Sequence, residues 1–494
     1  MRLFSAPTSD EWLFLAIVFF LVVLLIAAAE LIRRLFNGDS EFTRKFVHII
    51  SGILMMCAPY VFYSGIPAVT IAGIMVIGTF LSIRFDFLKS IHGTDRTSYG
   101  TMYHPLSFLV LVLLFWDISP MILSISVLIL AIPDALAAII GQNVRTRHFL
   151  SIGANKKTVE GSITMFLSTV ASILLGFYFF NVTAETSIII IAVVTSLFAT
   201  GWELISFKGL DNFTVPLSTA FILHYFLTIS PHHVPEQLIT AIALGAGIGI
   251  LSYYFKFLSL SGSIATFLLA TIIYGIGGWK WTVPILTFFI ASSLLSKYGK
   301  SRKKKLEHIF DKTDKRDSGQ VAANGGIAGI IILLWYIFPE HIELYFVYLA
   351  SIAAVTADTW GTEIGTLMKG KPRSIITFQK VETGTSGGVS IIGFAGGIIG
   401  TTIVVCSACW MNSASFSVEL AIALVTVGCI GSIIDSILGA TIQAQYVTES
   451  GKLTEKSVVD EKPTRLVRGF RWFTNDMVNW FCAASGAATM YFLL

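Results

Sequence analysis

The sequence predicts an all-α, polytopic membrane protein with about sixteen transmembrane helices in two halves. Of its 494 residues, 54% are hydrophobic and 13% are charged, which is unlike the composition of a soluble protein of this length. Apolar runs of about 17–25 residues, long enough to cross the hydrocarbon core as a helix, recur from Trp12 to Leu494. The first run follows an acidic flank, which predicts a retained helix and not a cleaved signal.

The positions of Lys and Arg predict how the helices are oriented. If the N-terminus lies outside and the helices alternate, every Lys and Arg except Arg2 and Lys280 falls on one side of the membrane. Cytoplasmic loops carry the excess of these residues, so we expect a cell-membrane protein with the basic side in the cytoplasm. The net charge of +4 is then mainly a topology signal, and no nucleic-acid partner is expected. The basic run Arg302–Lys305 is expected to touch anionic lipid.

A turn-rich loop at residues 230–236 divides the chain, predicting domains 1–232 and 233–494. Both halves repeat one pattern. A basic residue stands four residues before a polar one, as in Arg44 with His48 and Arg316 with Gln320, which places each pair on one helix face. An Asp near the inner end of an apolar helix and a Gly/Ser/Thr loop follow. Duplication and convergence on the same chemistry both explain this pattern, and the sequence leaves the choice open.

The acidic residues of the first half indicate a phosphate and metal site. Asp134 lies near the inner end of its predicted helix, where a carboxylate is costly and therefore indicates function. Lys157 and Gly161 stand where a cytoplasmic loop enters a helix, and such helix N-termini favour phosphate. Oxygen ligands suit Mg²⁺, whereas the scattered cysteines indicate no zinc site. The candidate nucleotide- and phosphate-binding residues are Arg44, Lys45, His48, Lys156, Lys157, Thr158, Glu160, Gly161, Ser162 and Asn212.

The second half carries a similar set with a more glycine-rich loop. Residues 384–390 predict an anion-binding nest that leads into a helix. Asp435, Gly439 and Gln443 are predicted to share one face of an apolar helix. The candidate nucleotide- and phosphate-binding residues are Arg316, Gln320, Asn324, Gly384, Thr385, Ser386, Gly387, Gly388, Ser390 and Gln443. Across both halves, the candidate Mg²⁺ ligands are Asp134, Asp211, Asp358, Glu363, Asp435 and Asp476.

The first half resembles the phytol kinase/dolichol kinase family, roughly from Phe42 to Leu227. The resemblance implies a polytopic enzyme that phosphorylates a long isoprenoid alcohol, typically with CTP. The Lys-Thr-x-Glu-Gly run is also similar to phosphatidate cytidylyltransferases, but their C-terminal Lys-Asp and Asp-Arg signature is absent from this sequence. The matching motifs are Arg44-Lys45-x-x-His48, Asp134-x-x-Ala137-x-x-x-Gly141, Lys157-Thr158-x-Glu160-Gly161-Ser162 and Asp211-Asn212-x-x-x-Pro216.

The second half resembles the phytyl-phosphate kinase family from Ser261 to the C-terminus. This resemblance implies that an isoprenyl monophosphate is converted to the diphosphate. One position departs from the family: a His usually precedes the Asn-Asp pair, whereas Arg471-Trp472-Phe473 precedes Asn475 here. The ordered motifs begin at Arg316-Asp317-x-x-Gln320, Asp358-Thr359-Trp360-x-x-Glu363, Gly384-Thr385-Ser386-Gly387-Gly388, Asp435-Ser436-x-x-Gly439 and Asn475-Asp476.

Together the motifs predict a bifunctional membrane kinase that uses Mg²⁺ and a nucleoside triphosphate, with CTP the expected donor. The substrates are an isoprenoid alcohol and then its monophosphate, with the tail among membrane lipid. We expect Asp134 and Asp211 to hold the metal or activate the hydroxyl, and Asp358 and Asp435 to act in the second half. A CDP-lipid-forming cytidylyltransferase and a transporter of lipid or isoprenoid phosphate are the alternatives. Whether the chain forms a homo-oligomer is left open.

Overall fold

The computed structural model describes residues 2–35, 40–85, 98–144, 147–152, 155–184, 186–228, 235–298, 315–367, 371–449, 451, 453–459 and 462–494. The basic run Arg302–Lys305, the predicted boundary at residues 232/233 and the side chain of Lys156 lie outside the described part. The chain separates into two compact units, Met1–Pro235 and Glu236–Leu494.

The first unit is a set of apolar helices with one short hairpin. Strands β1 (Phe149–Ile152) and β2 (Asn155–Thr158) pair in antiparallel register, and the hairpin leads directly into helix α7 (Val159–Phe179). Helices α5 (Pro120–Ala131) and α6 (Pro133–Asn143) are separated only by Ile132, and Pro133 occupies the first turn of α6. The helices are α1 (Ser9–Leu35), α2 (Ser40–Val61), α3 (Ile66–Phe85), α4 (Gly100–Phe115), α5 (Pro120–Ala131), α6 (Pro133–Asn143), α7 (Val159–Phe179), α8 (Ile188–Ile205) and α9 (Asp211–Leu227).

The second unit joins long helices to short strands on its loops. Helix α11 is interrupted at Gly278, whose φ of 60° and ψ of −158° are not helical, so two helices meet there without a loop. The helices are α10 (Pro235–Tyr254), α11 (Leu260–Tyr298), α12 (Ser318–Ile337), α13 (Leu344–Leu367), α14 (Ile391–Met411), α15 (Val418–Thr441) and α16 (Asn475–Leu493). The strands are β3 (Arg373–Ser374), β4 (Gly388–Val389), β5 (Gln445–Val447), β6 (Leu453–Thr454), β7 (Val458–Val459), β8 (Lys462–Pro463) and β9 (Arg465–Arg468).

Helix length and hydropathy confirm the predicted fold class of an all-α polytopic membrane protein. Within the described residues, 10 helical segments are long and apolar enough to cross a membrane, and Gly100–Phe115 is a shorter apolar helix. Helices α5 and α6 count there as one segment, Pro120–Asn143, and the interrupted α11 also counts as one. Large apolar side chains such as Ile391 (90% exposed) and Trp410 (78% exposed) lie on the surface, as they do in helices that face lipid. The total of about sixteen spans stays a prediction.

Helix α13 is the centre of the second unit. Every residue from Val347 to Ala357 is buried, and the helix packs against α11, α12, α14, α15 and α16. Small residues allow the close approach: a Cβ at Gly431 of α15 would lie 2.5 Å from the Cβ of Ala354. Helix α13 therefore carries Asp358, the next residue after the buried run, to a point where several helices converge.

Candidate functional sites

The first unit contains an apolar pocket with one group of polar side chains. Its walls come from α1, α2 and α3 through residues such as Val22, Leu54 and Met75. The polar lining includes Arg44, Lys45, His48, His104, Asp134 and Asn212, all but one of them predicted from the sequence. A pocket with apolar walls and a few convergent polar groups is the form that small-molecule sites usually take.

Asp134 occupies a different place in its helix from the one that we predicted. The sequence predicts it near the inner end of one long apolar helix, but the break at Ile132 puts it in the first turn of the separate helix α6. Proline is favoured in this turn because its missing N–H is not needed there. A carboxylate in a first turn is stabilised by the helix dipole, so position alone makes Asp134 less costly than a carboxylate at a helix C-terminus.

A cluster of charges lies beside Asp134. The Lys157 ammonium donates to Glu203 Oε1 at 2.5 Å and lies 3.6 Å from Asp211 Oδ2. Burial lowers the pKa of Lys157, but Glu203 and Asp211 outweigh burial and raise that pKa above its ordinary value. Asp134 is close enough to interact electrostatically with Asp211 and Lys157. Within the described residues, the buried Glu203 Oε2 has no hydrogen-bond partner, so the cluster still has an oxygen to offer.

The turn that was predicted to hold phosphate is used for helix packing. Thr158 caps α7, since its Oγ1 accepts a hydrogen bond from the Gly161 N–H at 3.2 Å. Gly161 packs against Gly141, where a Cβ would lie 3.4 Å from the Gly161 Cα. The structure thus gives the Gly161 amide a capping role, and of this segment Lys157 is the residue turned toward the acidic cluster.

Several other residues of the first set have partners within the fold. Glu160 accepts a hydrogen bond from the His148 ring, with 2.6 Å between His148 Nδ1 and Glu160 Oε1, and Ser162 Oγ donates to the Thr158 carbonyl at 3.1 Å. Lys45 donates to Gln142 Oε1 at 3.0 Å. The Asn212 amide donates to the Gly100 carbonyl at 2.9 Å, which ties the start of α9 to the start of α4. The roles of these residues toward a nucleotide stay predictions.

His104 is a site residue that the sequence motifs do not indicate. Its Nδ1 lies 2.8 Å from His48 Nδ1, and His48 Nε2 lies 2.9 Å from the Leu130 carbonyl oxygen. Both ring nitrogens of His48 are therefore engaged, so this side chain is placed to orient His104, and its role toward phosphate stays a prediction. A lone polar, ionisable residue within an apolar helix is the signal that could have indicated His104.

In the second unit, one pocket gathers all the predicted residues. It is formed by α12, α13, α15, α16 and the loop that precedes α14. The lining residues that were not predicted include Glu455, Lys456, Thr474 and Ser296. The predicted residues that line it are Arg316, Gln320, Asn324, Asp358, Glu363, Gly384, Thr385, Ser386, Gly387, Gly388, Ser390, Asp435, Gln443 and Asp476.

Helix boundaries in this unit differ from the predicted ones at two positions. Arg316 lies before α12, where Asp317 and Gln320 form a capping box, so Arg316 and Gln320 do not share a helix face. The backbone of Arg316 is held instead by Phe257 and Ser259. Gln443 follows the end of α15 at Thr441 and is not on the helix face of Asp435. Tertiary packing, and not helical spacing, brings these side chains into the pocket.

Two acidic residues meet at the pocket. The carboxyl groups of Asp358 on α13 and Asp435 on α15 lie close enough to share a proton. Two carboxylates that are close enough to share a proton repel each other unless a proton or a cation lies between them. Asp435 Oδ2 is buried and has no hydrogen-bond partner among the described residues. The pair therefore offers oxygen ligands of the kind that a hard cation takes.

The Gly-rich loop is shaped by positive φ angles and by a carboxylate across the pocket. Gly384 and Gly387 have φ of 92° and 78°, a backbone region that disfavours other residues. Ser386 Oγ and Gln443 Nε2 each donate to Glu455 Oε1 at 2.8 Å. Ser390 caps α14 through the Gly393 N–H at 3.0 Å. Glu455 thus holds the loop against the end of α15, although nothing in the sequence pattern singles it out.

Arg316 supplies positive charge to this pocket. Burial lowers the pKa of its guanidinium, while the nearby Glu363 acts in the opposite direction. An arginine remains charged at neutral pH, so a partly buried guanidinium beside a Gly-rich loop suits phosphate oxygens.

The residues fit Mg²⁺ as pairs and not as a larger cage. No group of three or more His, Cys, Asp or Glu that could hold a metal ion occurs in the described part of the chain. Mg²⁺ commonly uses one or two carboxylates together with substrate phosphates and water. The Asp358–Asp435 pair, with its partnerless Oδ2, meets that requirement. The metal itself stays a prediction.

Comparisons with known proteins relate the chain to membrane proteins and to a lipid kinase. Residues 243–487 match the family described as integral membrane protein DUF92. Protein PGR of Arabidopsis thaliana is 32% identical over 271 residues, which are 49% of this chain and 91% of that protein. The phytol kinase of Synechocystis sp. is 35% identical over 201 residues, which are 40% of this chain and 84% of the kinase. An uncharacterized membrane protein of Methanocaldococcus jannaschii is 31% identical over 186 residues, 38% of this chain and 75% of that protein.

No solved structure matches the chain. The family match to an integral membrane protein agrees with the apolar helices of the second unit. The chain belongs to the DUF92 family of integral membrane proteins and has phytol kinase among its relatives.

Proposed function

We propose that this protein is a bifunctional isoprenoid kinase. The first unit phosphorylates a prenyl alcohol of the phytol, geranylgeraniol or farnesol type, and the second unit converts the monophosphate to the diphosphate. The donor is a nucleoside triphosphate, with CTP expected from the family resemblance. Both sites face the cytoplasm of the cell membrane. The observation that carries the proposal is that each unit joins acidic and basic side chains in one place, beside apolar walls in the first and beside a Gly-rich loop in the second.

The first unit suits an alcohol with a long apolar tail. The walls from α1, α2 and α3 are apolar, whereas Arg44, His48 and Asp134 are polar. Burying a prenyl tail against such walls stabilises binding in proportion to the apolar area removed from water. The hydroxyl group then lies among the polar side chains. It is next to the cluster of Lys157, Glu203 and Asp211, where the nucleotide phosphates would bind. Similarity to phytol kinase supports this assignment.

The second unit suits an acceptor that is already an anion. A phosphate monoester needs no general base at neutral pH, but its charge opposes the approach of a second phosphate. Arg316 and the amides of residues 384–388 are the groups that would bind these phosphates. Asp358 and Asp435 would hold Mg²⁺, which supplies neutralisation of the charge on the transferred phosphoryl group when it is bound. Glu455 keeps the loop in place through Ser386 and Gln443.

Product analysis with the purified full-length protein tests the proposal. The protein is incubated with phytol, geranylgeraniol or farnesol, Mg²⁺ and each nucleoside triphosphate, and alcohol, monophosphate and diphosphate are separated. We expect Asp134→Asn to block the first step and to convert added monophosphate normally. Asp358→Asn should accumulate monophosphate.

Three results contradict the proposal in different ways. No phosphorylated lipid with any nucleotide removes the kinase assignment. Release of pyrophosphate with transfer of CMP to the lipid identifies a cytidylyltransferase. Equal loss of both steps in Asp134→Asn and Asp358→Asn contradicts two separate sites.

A further inference from the structure

His48 and His104, in the pocket of the first unit, form a hydrogen-bonded pair in which one ring nitrogen has no hydrogen-bond partner among the described residues. His48 bonds to the Leu130 carbonyl through Nε2 and to His104 through Nδ1, at 2.9 Å and 2.8 Å. The two rings meet edge to face, with an interplanar angle of 85°. His104 is only 5% exposed, and among the described residues its buried Nε2 has no hydrogen-bond partner. Both histidines line the same pocket as Asp134.

The Leu130 carbonyl determines where the protons of this pair lie. A carbonyl oxygen only accepts, so His48 must carry its hydrogen on Nε2. In a neutral His48 ring, Nδ1 is then an acceptor, and the hydrogen between the rings belongs to His104 Nδ1. His104 Nε2 is left as a bare lone pair. The opposite arrangement would bury a donor without an acceptor and add a charge to the pair, both of which are costly.

Close helix packing holds the pair in this geometry. A Cβ at Gly52 of α2 would lie 2.5 Å from the Cβ of Ala131, so glycine allows α2 to approach the end of α5 where Leu130 presents its carbonyl. That Cβ would be 3.9 Å from His104 Cε1, so the same glycine leaves space beside the His104 ring. The Asn212–Gly100 hydrogen bond fixes the start of α4, one turn before His104, to the helix that begins with Asp211.

We propose that His104 Nε2 is the general base for the alcohol in the first phosphorylation, with His48 as its positioning residue. This inference rests on the proposed function. The O–H bond of the prenyl alcohol breaks and its proton passes to His104 Nε2, while the oxygen forms a bond to the γ-phosphorus of the nucleoside triphosphate. The bond from that phosphorus to the bridging oxygen breaks, and the nucleoside diphosphate leaves with the electron pair. Asp134 and Asp211 would then hold Mg²⁺, which would neutralise the phosphate charge.

The hydrogen bond from His104 Nδ1 to His48 prevents the other tautomer and leaves the lone pair on Nε2 of a side chain that lines the pocket. Without a base, the proton would be lost to water, which an apolar pocket largely excludes. General bases contribute about 10²–10⁴-fold to a rate. This range sets the size of the expected effect.

The test uses the full-length protein with saturating prenyl alcohol and nucleotide. We expect His104→Gln and His104→Ala to lower kcat of the first step by about 100-fold or more, with little change in KM for the alcohol. Added imidazole should restore part of kcat in His104→Ala, because it can enter the space that the ring leaves. Conversion of added prenyl monophosphate to diphosphate should stay at the wild-type rate, which reports that the second unit is folded, while recovery with imidazole reports that the first unit is folded. His224→Gln is the matched control, since His224 contacts Phe115 on another part of α4.

Three outcomes would overturn the assignment. One is a kcat for His104→Ala within about tenfold of the wild type. Another is a loss that imidazole does not restore, or that appears equally in the second step, because a merely structural role predicts this result. If the wild-type protein forms no monophosphate from any prenyl alcohol, the proposed function itself fails. This result differs from a failure of the His104 assignment, because it is seen in the wild-type protein and not only in the variants.

Discussion

Removing the charge of Lys157 should destabilise the first unit through the carboxylates left behind. Lys157 lies 2.5 Å from Glu203 and 3.6 Å from Asp211, and only 22% and 10% of the Lys157 and Glu203 side chains are exposed. Breaking a buried pair by removing one partner costs about 3–5 kcal/mol. Because some solvent reaches the lysine, we expect Lys157→Met to lower the free energy of unfolding by the smaller amount, about 3 kcal/mol.

A double-mutant cycle separates the ion pair from other effects of the substitution. The double variant Lys157→Met/Glu203→Gln leaves no charge on the pair. Its loss in free energy of unfolding should therefore be about 1–2 kcal/mol smaller than the sum of the losses in Lys157→Met and Glu203→Gln. The free energy of unfolding is measured by SDS titration in mixed micelles. Lys462→Met is the control, since its ion pair with Glu449 is 65% and 70% exposed and should contribute about 1 kcal/mol at most. A loss in Lys157→Met no larger than in this control, or two single losses that simply add, would refute the reasoning.

The second unit yields three further predictions. Asp435→Asn removes one oxygen ligand of the acidic pair, so monophosphate should accumulate while the first step continues, and unchanged diphosphate formation would contradict a role for the pair. Gly387→Ala should lower the free energy of unfolding by about 1–3 kcal/mol, because Gly387 has a φ of 78° and a new Cβ there would meet Ala440. Gly451→Ala is the control: Gly451 has a φ of 80°, but a Cβ there meets open space, so this variant measures the cost of backbone strain alone. Equal losses in both glycine variants would show that the Ala440 contact contributes nothing. Glu455→Ala deprives Ser386 and Gln443 of their acceptor and should slow the second step about 10-fold or more, with Glu449→Ala as the control; equal rates in the two variants would contradict the positioning role of Glu455.

The local sequence pattern indicates which residues of the second unit lie together. Acidic and Gly/Ser/Thr residues stand out in apolar surroundings, which predicts Asp358, Asp435 and the Gly-rich loop as site residues, and in the structure they line one pocket. The sequence pattern does not predict where the helices that carry these residues begin and end. Arg316 lies before α12, because the Asp317–Gln320 capping box begins that helix, and Gln443 lies after α15, which ends at Thr441.

In the first unit, spacing led to a site whose parts have several roles. Gly161 is predicted as a phosphate-loop glycine, and in the structure its N–H also donates to the Thr158 side chain that caps α7, while its small size allows the contact with Gly141. A Gly that permits close packing and a Gly that binds phosphate have the same letter in a sequence, so pattern cannot separate them. His104 and Glu455 were missed for a related reason. Each acquires its importance from a partner far along the chain, at His48 and at Ser386.

The sequence by itself determined the membrane class and the segments that carry charge into the helices, because hydrocarbon excludes polar groups and makes each exception visible in the local composition. Only the tertiary structure decided which charges meet. The contacts of Lys157 with Glu203 and Asp211, the approach of Asp358 to Asp435 and the pairing of His48 with His104 all join different elements of the fold. Their separations depend on how closely helices pack at Gly52, Gly141 and Gly431, and that packing is a property of the folded unit and not of any one segment.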